Sequence, residues 1–140
     1  MEDFRHQTAI QVRFKDIDAL GHVNNANHFT YFEVARVRYF DEVVKEAVEW
    51  SRQGIILAKM TINYKSPIFL KDNVKVWCRV SRFGTTSFDC EYRITCERDG
   101  KEVLAAEGLS TQVCYDYENS KPFPVPASWR ERTELYESGK

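Results

Sequence analysis

The chain has 140 residues, 43% of them hydrophobic and 14% aromatic, and its formal net charge is −1 at pH 7. This length suits one domain with one core, and the apolar content excludes an intrinsically disordered chain. The near-neutral net charge excludes a partner that is attracted by the overall charge of the protein. We therefore expect neither nucleic acid nor a membrane among the partners.

Cysteine use and the N-terminal segment indicate the compartment. Cys78, Cys90, Cys96 and Cys114 form no CxxC pair and have no spacing typical of zinc ligands. The segment MEDFRHQ is charged and lacks the apolar centre of a secretion signal. No apolar run approaches the roughly 20 residues that a membrane span needs. We therefore expect a cytoplasmic protein with reduced thiols.

The first predicted element is a half-buried strand in TAIQVRFKD, residues 8–16. Ile10, Val12 and Phe14 alternate there with polar residues, and this period of two is typical of a strand. A polar stretch, DIDALGHVNNANHF, follows at residues 16–29 and holds two Asp, two His and three Asn. Such residues do not build a core, so this stretch needs its own interpretation.

A long helix is predicted over residues 27–50, which contain no Gly or Pro for about six turns. Gly54 marks its end. Its apolar residues share one stripe: Phe29, Phe32, Phe40, Val43 and Ala47. Glu33 and Arg36 fall within this stripe. A buried charge must be paired or functional, so the pattern predicts a mutual i,i+3 ion pair or a functional role for Glu33.

Four consecutive strands joined by short turns are predicted after the helix. Their predicted inward-facing residues are Ile56, Ala58, Met60, Ile62 and Tyr64, then Val74, Val76, Cys78 and Val80, then Phe88, Cys90, Tyr92, Ile94 and Cys96. Asp99-Gly100 is one of the explicit turns between them. Ser128 and Glu131 predict a capping box that opens a short helical tail over residues 127–140.

This order predicts an α+β fold in which one helix packs across a five-stranded antiparallel sheet. We take residues 1–140 as a single domain. One helix cannot cover both faces and the edges of such a sheet, so a homodimer is expected, with a homotetramer built as a dimer of dimers as the alternative.

The polar stretch has a structural interpretation and a metal-site interpretation. As a plain turn, Gly21 supplies the bend and Asn24 or Asn25 caps the helix. That leaves Asp16, Asp18, His22 and His28 without a role. A metal site needs converging ligands, and the rest of the chain supplies no matching ligand pair, so we expect neither a metal nor a cofactor.

The third interpretation is catalytic. The N-terminus of a helix offers unpaired N–H groups and the positive end of the helix dipole, which are the parts of an oxyanion hole. Asp18 precedes this terminus. Its carboxylate could attack an acyl carbon or activate a water while the N–H groups hold the developing oxyanion.

The segment RFKDIDALGHVNNANHFTYFEVAR, residues 13–36, resembles the signature of hotdog-fold thioesterases of the 4-hydroxybenzoyl-CoA thioesterase type. Its HVNN part is similar to a stretch of acyl-ACP thioesterases. The resemblance implies a sheet wrapped around one long central helix and hydrolysis of an acyl-CoA, or an acyl carrier protein thioester, to a free acid and a thiol. It places the catalytic carboxylate at Asp18, the oxyanion-hole N–H on or beside Asn25, and the turn glycine at Gly21.

Further site residues follow from the same resemblance. His22 matches the histidine of the acyl-ACP branch, but Leu20 stands where that branch has Asn. His28 replaces a tyrosine that many relatives have, which alters the pocket wall. The resemblance implies that Asn24 and His28 contact the substrate and that Glu33 orients the catalytic loop.

Other functions share this fold and stay open as alternatives. They are a hotdog enoyl hydratase or dehydratase, a non-catalytic acyl-CoA-binding module and a structural dimerisation module. Basic residues that could contact the CoA phosphates are Lys59, Lys65, Lys71, Arg79 and Arg82, and nothing in the sequence selects among them.

Overall fold

The computed structural model describes residues 3–46 and 52–139. The helices are α1 (Asn27–Tyr39), which continues as a π-helical turn (Phe40–Val44), and α2 (Ala127–Glu137). The strands are β1 (His6–Ile10), β2 (Gln53–Tyr64), β3 (Asn73–Phe83), β4 (Ser87–Arg98), β5 (Lys101–Asp116) and β6 (Lys121–Pro122). A 3₁₀ turn (Phe14–Asp16) follows β1. None of the helices described is long and apolar enough to cross a membrane.

The strands form one antiparallel sheet in the spatial order β1-β3-β4-β5-β2, with the two-residue β6 beside β5. The predicted order of one strand, one helix and four consecutive strands is therefore confirmed, and β6 is a small addition. The β4–β5 hairpin turns at Asp99 and Gly100, whose φ angles of 51° and 76° suit a tight two-residue connection.

The core lies between α1 and one face of the sheet. The helix contributes His28, Tyr31, Phe32, Ala35 and Tyr39 as buried side chains. The predicted inward faces of β3 and β4 are confirmed, apart from Val80, which is half-buried. Phe32 stacks on Tyr92 with ring centroids 4.7 Å apart. It also covers Gly108, where an added Cβ would lie 2.6 Å from the Phe32 ring, so this close approach requires glycine.

All four cysteines are buried and unbridged. The sequence predicted reduced thiols and an inward position for three of them, and the burial of Cys114 adds the fourth. Burial raises the pKa of the Cys96 thiol to about 11 and that of Cys114 to about 12. Both thiols therefore stay protonated at neutral pH, which makes them poor nucleophiles.

The first strand begins and ends earlier than predicted. β1 ends at Ile10, and Val12 beyond it is still buried. The chain then turns into the 3₁₀ helix, which breaks the period of two, and Phe14 is 84% exposed instead of inward-facing.

The long helix ends earlier than predicted. Lys45 adopts the left-handed conformation, with φ of 56°, and this closes the helix after Val44. Residues 47–50, including Ala47 of the predicted stripe, lie outside the described residues. Phe29 is 43% exposed. The buried stripe of the helix passes instead through His28, which lies about 100° around the helix axis from Phe29.

The predicted inward face of β2 is correct for only part of the strand. A β-bulge between Leu57 and Lys59 inserts an extra residue. Met60 lies opposite buried Ser110 on the inward face, as predicted, but before the bulge the parity is reversed. Ile55, opposite buried Cys114, therefore packs against the core, whereas the predicted Ile56 is exposed.

The C-terminal helix is present, but the predicted capping box is wrong. α2 begins at Ala127, after Pro126, and no side chain caps it. The Ser128 hydroxyl instead donates to Glu46 Oε2 at 2.6 Å, which ties α2 to the end of the π-helical turn.

Candidate active site

The polar stretch before α1 folds into a tight loop closed by an isolated antiparallel bridge between Ile17 and Val23. Inside it, the Asp18 N–H donates to His22 O at 3.2 Å and the Gly21 N–H donates to Asp18 O at 3.0 Å. Gly21 has φ of 86°, and an added Cβ would meet nothing within 4 Å. Backbone conformation, not crowding, therefore requires glycine here.

Hydrogen bonds hold the Asp18 carboxylate in a partly exposed position. Oδ1 accepts from the Leu20 N–H at 2.9 Å, and Oδ2 accepts from Asn24 Nδ2 at 3.2 Å. The Asn24 side chain also accepts the Ala26 N–H through Oδ1 at 3.0 Å. Asn24 thus connects the carboxylate to the peptide that leads into α1, and the carboxylate keeps acceptor capacity for a ligand.

The N-terminus of α1 offers an unused donor next to this carboxylate. No side chain caps the helix, so the predicted asparagine cap is wrong, and the Asn24 amide acts just upstream instead. The Asn27 N–H donates to Asn24 O at 2.9 Å, whereas the Asn25 N–H finds no acceptor within residues 3–46 and 52–139. A free N–H at the positive end of a helix can stabilise a developing oxyanion.

Both carboxylate oxygens of the nearby Asp16 accept hydrogen bonds from the protein. Its side chain is 1% exposed and accepts hydrogen bonds from the Arg13 backbone, the Arg13 guanidinium and the Tyr31 hydroxyl. Burial alone would raise the pKa of Asp16, but the bonds from Arg13 and Tyr31 outweigh it and lower the pKa below 3.8. The Asn27 amide donates to Asp16 O at 3.1 Å, which further secures the helix entrance.

The two histidines of the loop lie in different surroundings. His22 is half-buried, with Nδ1 3.4 Å from Val23 O. His28 is 2% exposed, and its ring meets Tyr64 edge to face at a centroid distance of 4.8 Å. Burial lowers the pKa of His28 below 6.5, so it is neutral at pH 7.

Tyr64 is a candidate site residue that the sequence did not indicate. Its hydroxyl donates to Asn25 O at 2.9 Å across 39 residues of sequence. The pattern of β2 indicated only an inward-facing residue, and nothing in the local sequence of Tyr64 connects it to the loop.

Glu33 makes no hydrogen bond or ion pair with the loop that carries Asp18, among the residues that the structure describes. Its side chain is 68% exposed, so the expected burial of Glu33 is wrong. Arg36 is only 16% exposed; it approaches Glu33 at 4.0 Å and donates to the Tyr92 hydroxyl at 3.0 Å. The i,i+3 pair is therefore present but long, and Tyr92 is the closer partner of the buried guanidinium.

A cavity of about 330 Å³ lies farther along α1, away from Asp18. Four apolar side chains line it, from Val37, Phe40, Ile55 and Phe88. Three charged side chains complete the lining, from Glu33, Arg36 and Asp41. Phe29, Glu33 and Val37 follow one another at steps of four on α1, so one side of the helix leads from Asn25 to this cavity.

Three of the five basic residues considered for CoA are paired within the chain. Arg79 binds Glu91 at 2.7 Å, Arg82 binds Asp89 at 3.0 Å, and Lys65 lies 3.7 Å from Glu107. No three His, Cys, Asp or Glu side chains converge on a possible metal site in the part of the chain that the structure describes.

The chain is similar to known proteins in family, sequence and structure. The model of the thioesterase-like superfamily matches residues 12–133. The chain is 28% identical to the long-chain acyl-CoA thioesterase FadM of Escherichia coli K12, over 91% of this chain and 96% of that protein.

Solved structures give the same result. A thioesterase from Thermus thermophilus, complexed with coenzyme A and Zn, is 36% identical, with a TM-score of 0.81 over 99% of this chain and 98% of that one. The DHNA-CoA thioesterase of Staphylococcus aureus is 26% identical, with a TM-score of 0.82 over 96% of this chain and 95% of that one. The hotdog fold and the thioesterase class expected from the sequence are confirmed, and the chain belongs to the thioesterase-like superfamily.

Proposed function

We propose that the protein hydrolyses acyl-CoA thioesters to a free acid and CoA at the loop that carries Asp18 and Asn25. One observation carries the proposal: a hydrogen-bonded carboxylate and an unused backbone N–H lie in the same short loop. Asn24 joins the two parts, because it binds Asp18 and also holds the peptide after Asn25.

The chemistry assigns one task to each part. The thioester carbonyl oxygen accepts the Asn25 N–H, which stabilises the negative charge of the tetrahedral state. As a base, Asp18 takes a proton from a water whose oxygen attacks the acyl carbon, and the C–S bond breaks to release CoA thiolate. As a nucleophile, Asp18 attacks the carbon itself, forms an acyl anhydride with release of CoA thiolate, and water then hydrolyses the anhydride.

The acyl group is proposed to lie along the side of α1 that leads from Asn25 past Phe29 to the cavity beside Val37. Exposed apolar side chains support this path, with Phe29 43% and Val37 55% exposed. The acyl-CoA substrates named for the E. coli and S. aureus relatives, and the coenzyme A bound to the T. thermophilus one, support CoA as the carrier.

The other residues of the loop shape the site. Gly21 supplies the bend, Asn24 orients the carboxylate, half-buried His22 lies beside the thioester, and buried His28 packs behind the loop against Tyr64. Glu33 is assigned to the entrance of the acyl cavity and not to the reacting atoms, because it lies about 12 Å along the helix from Asn25.

A second copy of the chain is proposed to complete the pocket. β2 lies at the edge of the sheet and is 12 residues long. Leu57 on this strand and Val34 on α1 are 45% and 42% exposed. An apolar edge of this length is a site for strand pairing, and two-fold pairing would close the acyl path with residues of the partner.

The test is Asp18→Asn, assayed by thiol release over a panel of acyl-CoAs. Loss of a base or nucleophile is expected to lower kcat by about 10²-fold or more. Because the amide is nearly isosteric, the melting temperature is expected to change little. Asp99→Asn is the matched control, since Asp99 is exposed in the β4–β5 turn and asparagine tolerates its positive φ.

Two additions to this assay separate the alternatives. Enoyl-CoA hydration in place of thiol release would identify a hydratase, and binding without turnover would identify an acyl-CoA-binding module. Acyl carrier protein thioesters in the same panel decide the carrier. Near-normal turnover by Asp18→Asn would contradict the assignment of Asp18.

A further inference from the structure

Tyr64 provides a contact between the sheet and the polar loop of residues 16–29, which carries Asn25. It is the last residue of β2, and its hydroxyl donates to Asn25 O at 2.9 Å. Burial raises the pKa of Tyr64, so the phenol keeps its proton and remains a donor at neutral pH.

The peptide group between Asn25 and Ala26 is held at both ends. Its oxygen accepts from Tyr64 and, at 3.4 Å, from the His28 N–H. Its N–H donates to Asn24 Oδ1 at 3.0 Å. Because a peptide group is planar, bonds at both ends fix the orientation of the whole unit.

The preceding peptide group, between Asn24 and Asn25, is held at one end only by the residues that the structure describes. Its oxygen accepts the Asn27 N–H at 2.9 Å, and its N–H is the unused donor of Asn25. The direction of this N–H depends on the two backbone dihedrals of Asn25, which join it to the fixed unit that Tyr64 binds. Hydrogen bonds from Asn24 and His28 are local to the loop, whereas the bond from Tyr64 comes from a different element.

We propose that Tyr64 is a positioning residue for the thioesterase reaction: its hydroxyl fixes the Asn25–Ala26 peptide and thereby aims the Asn25 N–H at the thioester carbonyl. The inference rests on the proposed function, because it takes Asn25 as the oxyanion donor. Tyr64 touches neither substrate nor reacting atoms in this role, so its removal affects the transition state and not substrate binding.

Tyr64→Phe is the decisive variant, because it keeps the ring that packs edge to face on His28 and removes only the hydroxyl. We expect kcat to fall about tenfold, since a misplacement on the order of 1 Å can cost up to about 10²-fold in rate. KM and the dissociation constant for free CoA are expected to stay within about twofold of wild type, because only transition-state stabilisation is lost.

Tyr117→Phe is the matched control. Tyr117 is 47% exposed, close to the 45% of Tyr64, and its ring covers Gly54 at the other end of β2. This variant is expected to keep wild-type kcat. An equal fall in kcat for both variants, or a rise in KM with unchanged kcat for Tyr64→Phe, would overturn the positioning role.

A second measurement does not depend on turnover. Amide hydrogen exchange in the full-length ¹⁵N-labelled protein is expected to be faster at Ala26 in Tyr64→Phe than in wild type. The Asn25 amide resonance is expected to shift as well. Unchanged exchange at Ala26 would overturn the inference.

The two proposals fail in different ways. If Asp18→Asn abolishes turnover while Tyr64→Phe keeps it within about twofold, the role of Tyr64 is overturned and the proposed function stands. If the wild-type protein releases no thiol from any acyl-CoA, the proposed function fails and the catalytic role of Tyr64 fails with it, even where the exchange measurement finds the peptide restrained.

Discussion

Asp16 and Asp18 are neighbouring carboxylates with surroundings that suit different tasks. Asp16 is covered and saturated by Arg13 and Tyr31, which holds its pKa low and its position fixed. Asp18 is partly exposed, and its two hydrogen bonds leave room for a substrate or a water. Only Asp18 is therefore available for chemistry, while Asp16 anchors the loop that carries it.

His28 makes the stability of the protein depend on pH in a defined window. Burial lowers its pKa below the ordinary value of 6.5, so the unfolded chain binds this proton more readily than the folded one. The stabilising contribution is complete above pH 6.5 and is lost as the pH falls from there towards the folded pKa. Asp16, with its pKa below 3.8, contributes a similar loss only in stronger acid.

We expect the free energy of unfolding to fall between about pH 7 and pH 5 in wild type, and to fall less in His28→Phe. Phenylalanine keeps an aromatic ring against Tyr64 and cannot take up a proton. Urea denaturation at several pH values measures the difference, with His22→Phe as the control for a half-buried histidine of the same loop. Identical pH dependence of wild type and His28→Phe would contradict the assignment.

At the scale of elements, the end of the central helix stores strain. Lys45 closes the helix with φ of 56°, a conformation that costs a non-glycine residue roughly 1–2 kcal/mol. Lys45→Gly is expected to raise the free energy of unfolding by about 0.5–1 kcal/mol, because relief of strain exceeds the entropy that glycine adds to the unfolded chain. Thermal and urea denaturation measure the gain.

Lys45→Ala separates the backbone from the side chain in this prediction. Alanine removes the lysine side chain but keeps a Cβ, so the left-handed conformation stays strained. We therefore expect no gain from Lys45→Ala. A gain equal to that of Lys45→Gly would show that the lysine side chain, and not the backbone, is unfavourable at this position.

Local patterns predicted the elements well and their irregularities poorly. The alternation in β3 and β4 and the Asp99-Gly100 turn depend on neighbouring residues, so the sequence reveals them. The bulge after Leu57 and the left-handed Lys45 depend on how strands and helix pack together. No periodic pattern of apolar residues in the sequence indicates the bulge or the left-handed residue.

The same limit applies to the site. Asp18, Gly21 and Asn25 could be named as candidates because they lie in one short motif. The contact of Tyr64 with Asn25 joins residues 39 positions apart, and only the pairing of β2 with β5 brings Tyr64 to that place. Long-range hydrogen bonds of this kind cannot be predicted from one sequence without its fold.

At the scale of the molecule, β2 is the element through which we expect assembly to affect the proposed chemistry. It occupies one edge of the sheet, it carries exposed Leu57 near its middle, and it ends at Tyr64, which binds the loop that carries Asn25. Pairing of this edge with a second copy would cover the apolar side chains and hold the strand that restrains Asn25. Disruption of the edge is therefore expected to lower both assembly and turnover.

Leu57→Lys tests this connection. A charged side chain in the proposed interface loses the burial of an apolar group and adds the cost of desolvating an ammonium, so the dimer is expected to weaken by about tenfold or more. Light scattering is expected to give at least twice the 16.4 kDa chain mass for wild type, and a mass close to one chain for Leu57→Lys at low concentration. Turnover per chain is expected to fall over the same concentration range.

Leu135→Lys is the matched control, since Leu135 is 57% exposed on α2, and it should keep wild-type mass and turnover. A wild-type protein that is monomeric and fully active at the assay concentration would refute the shared site.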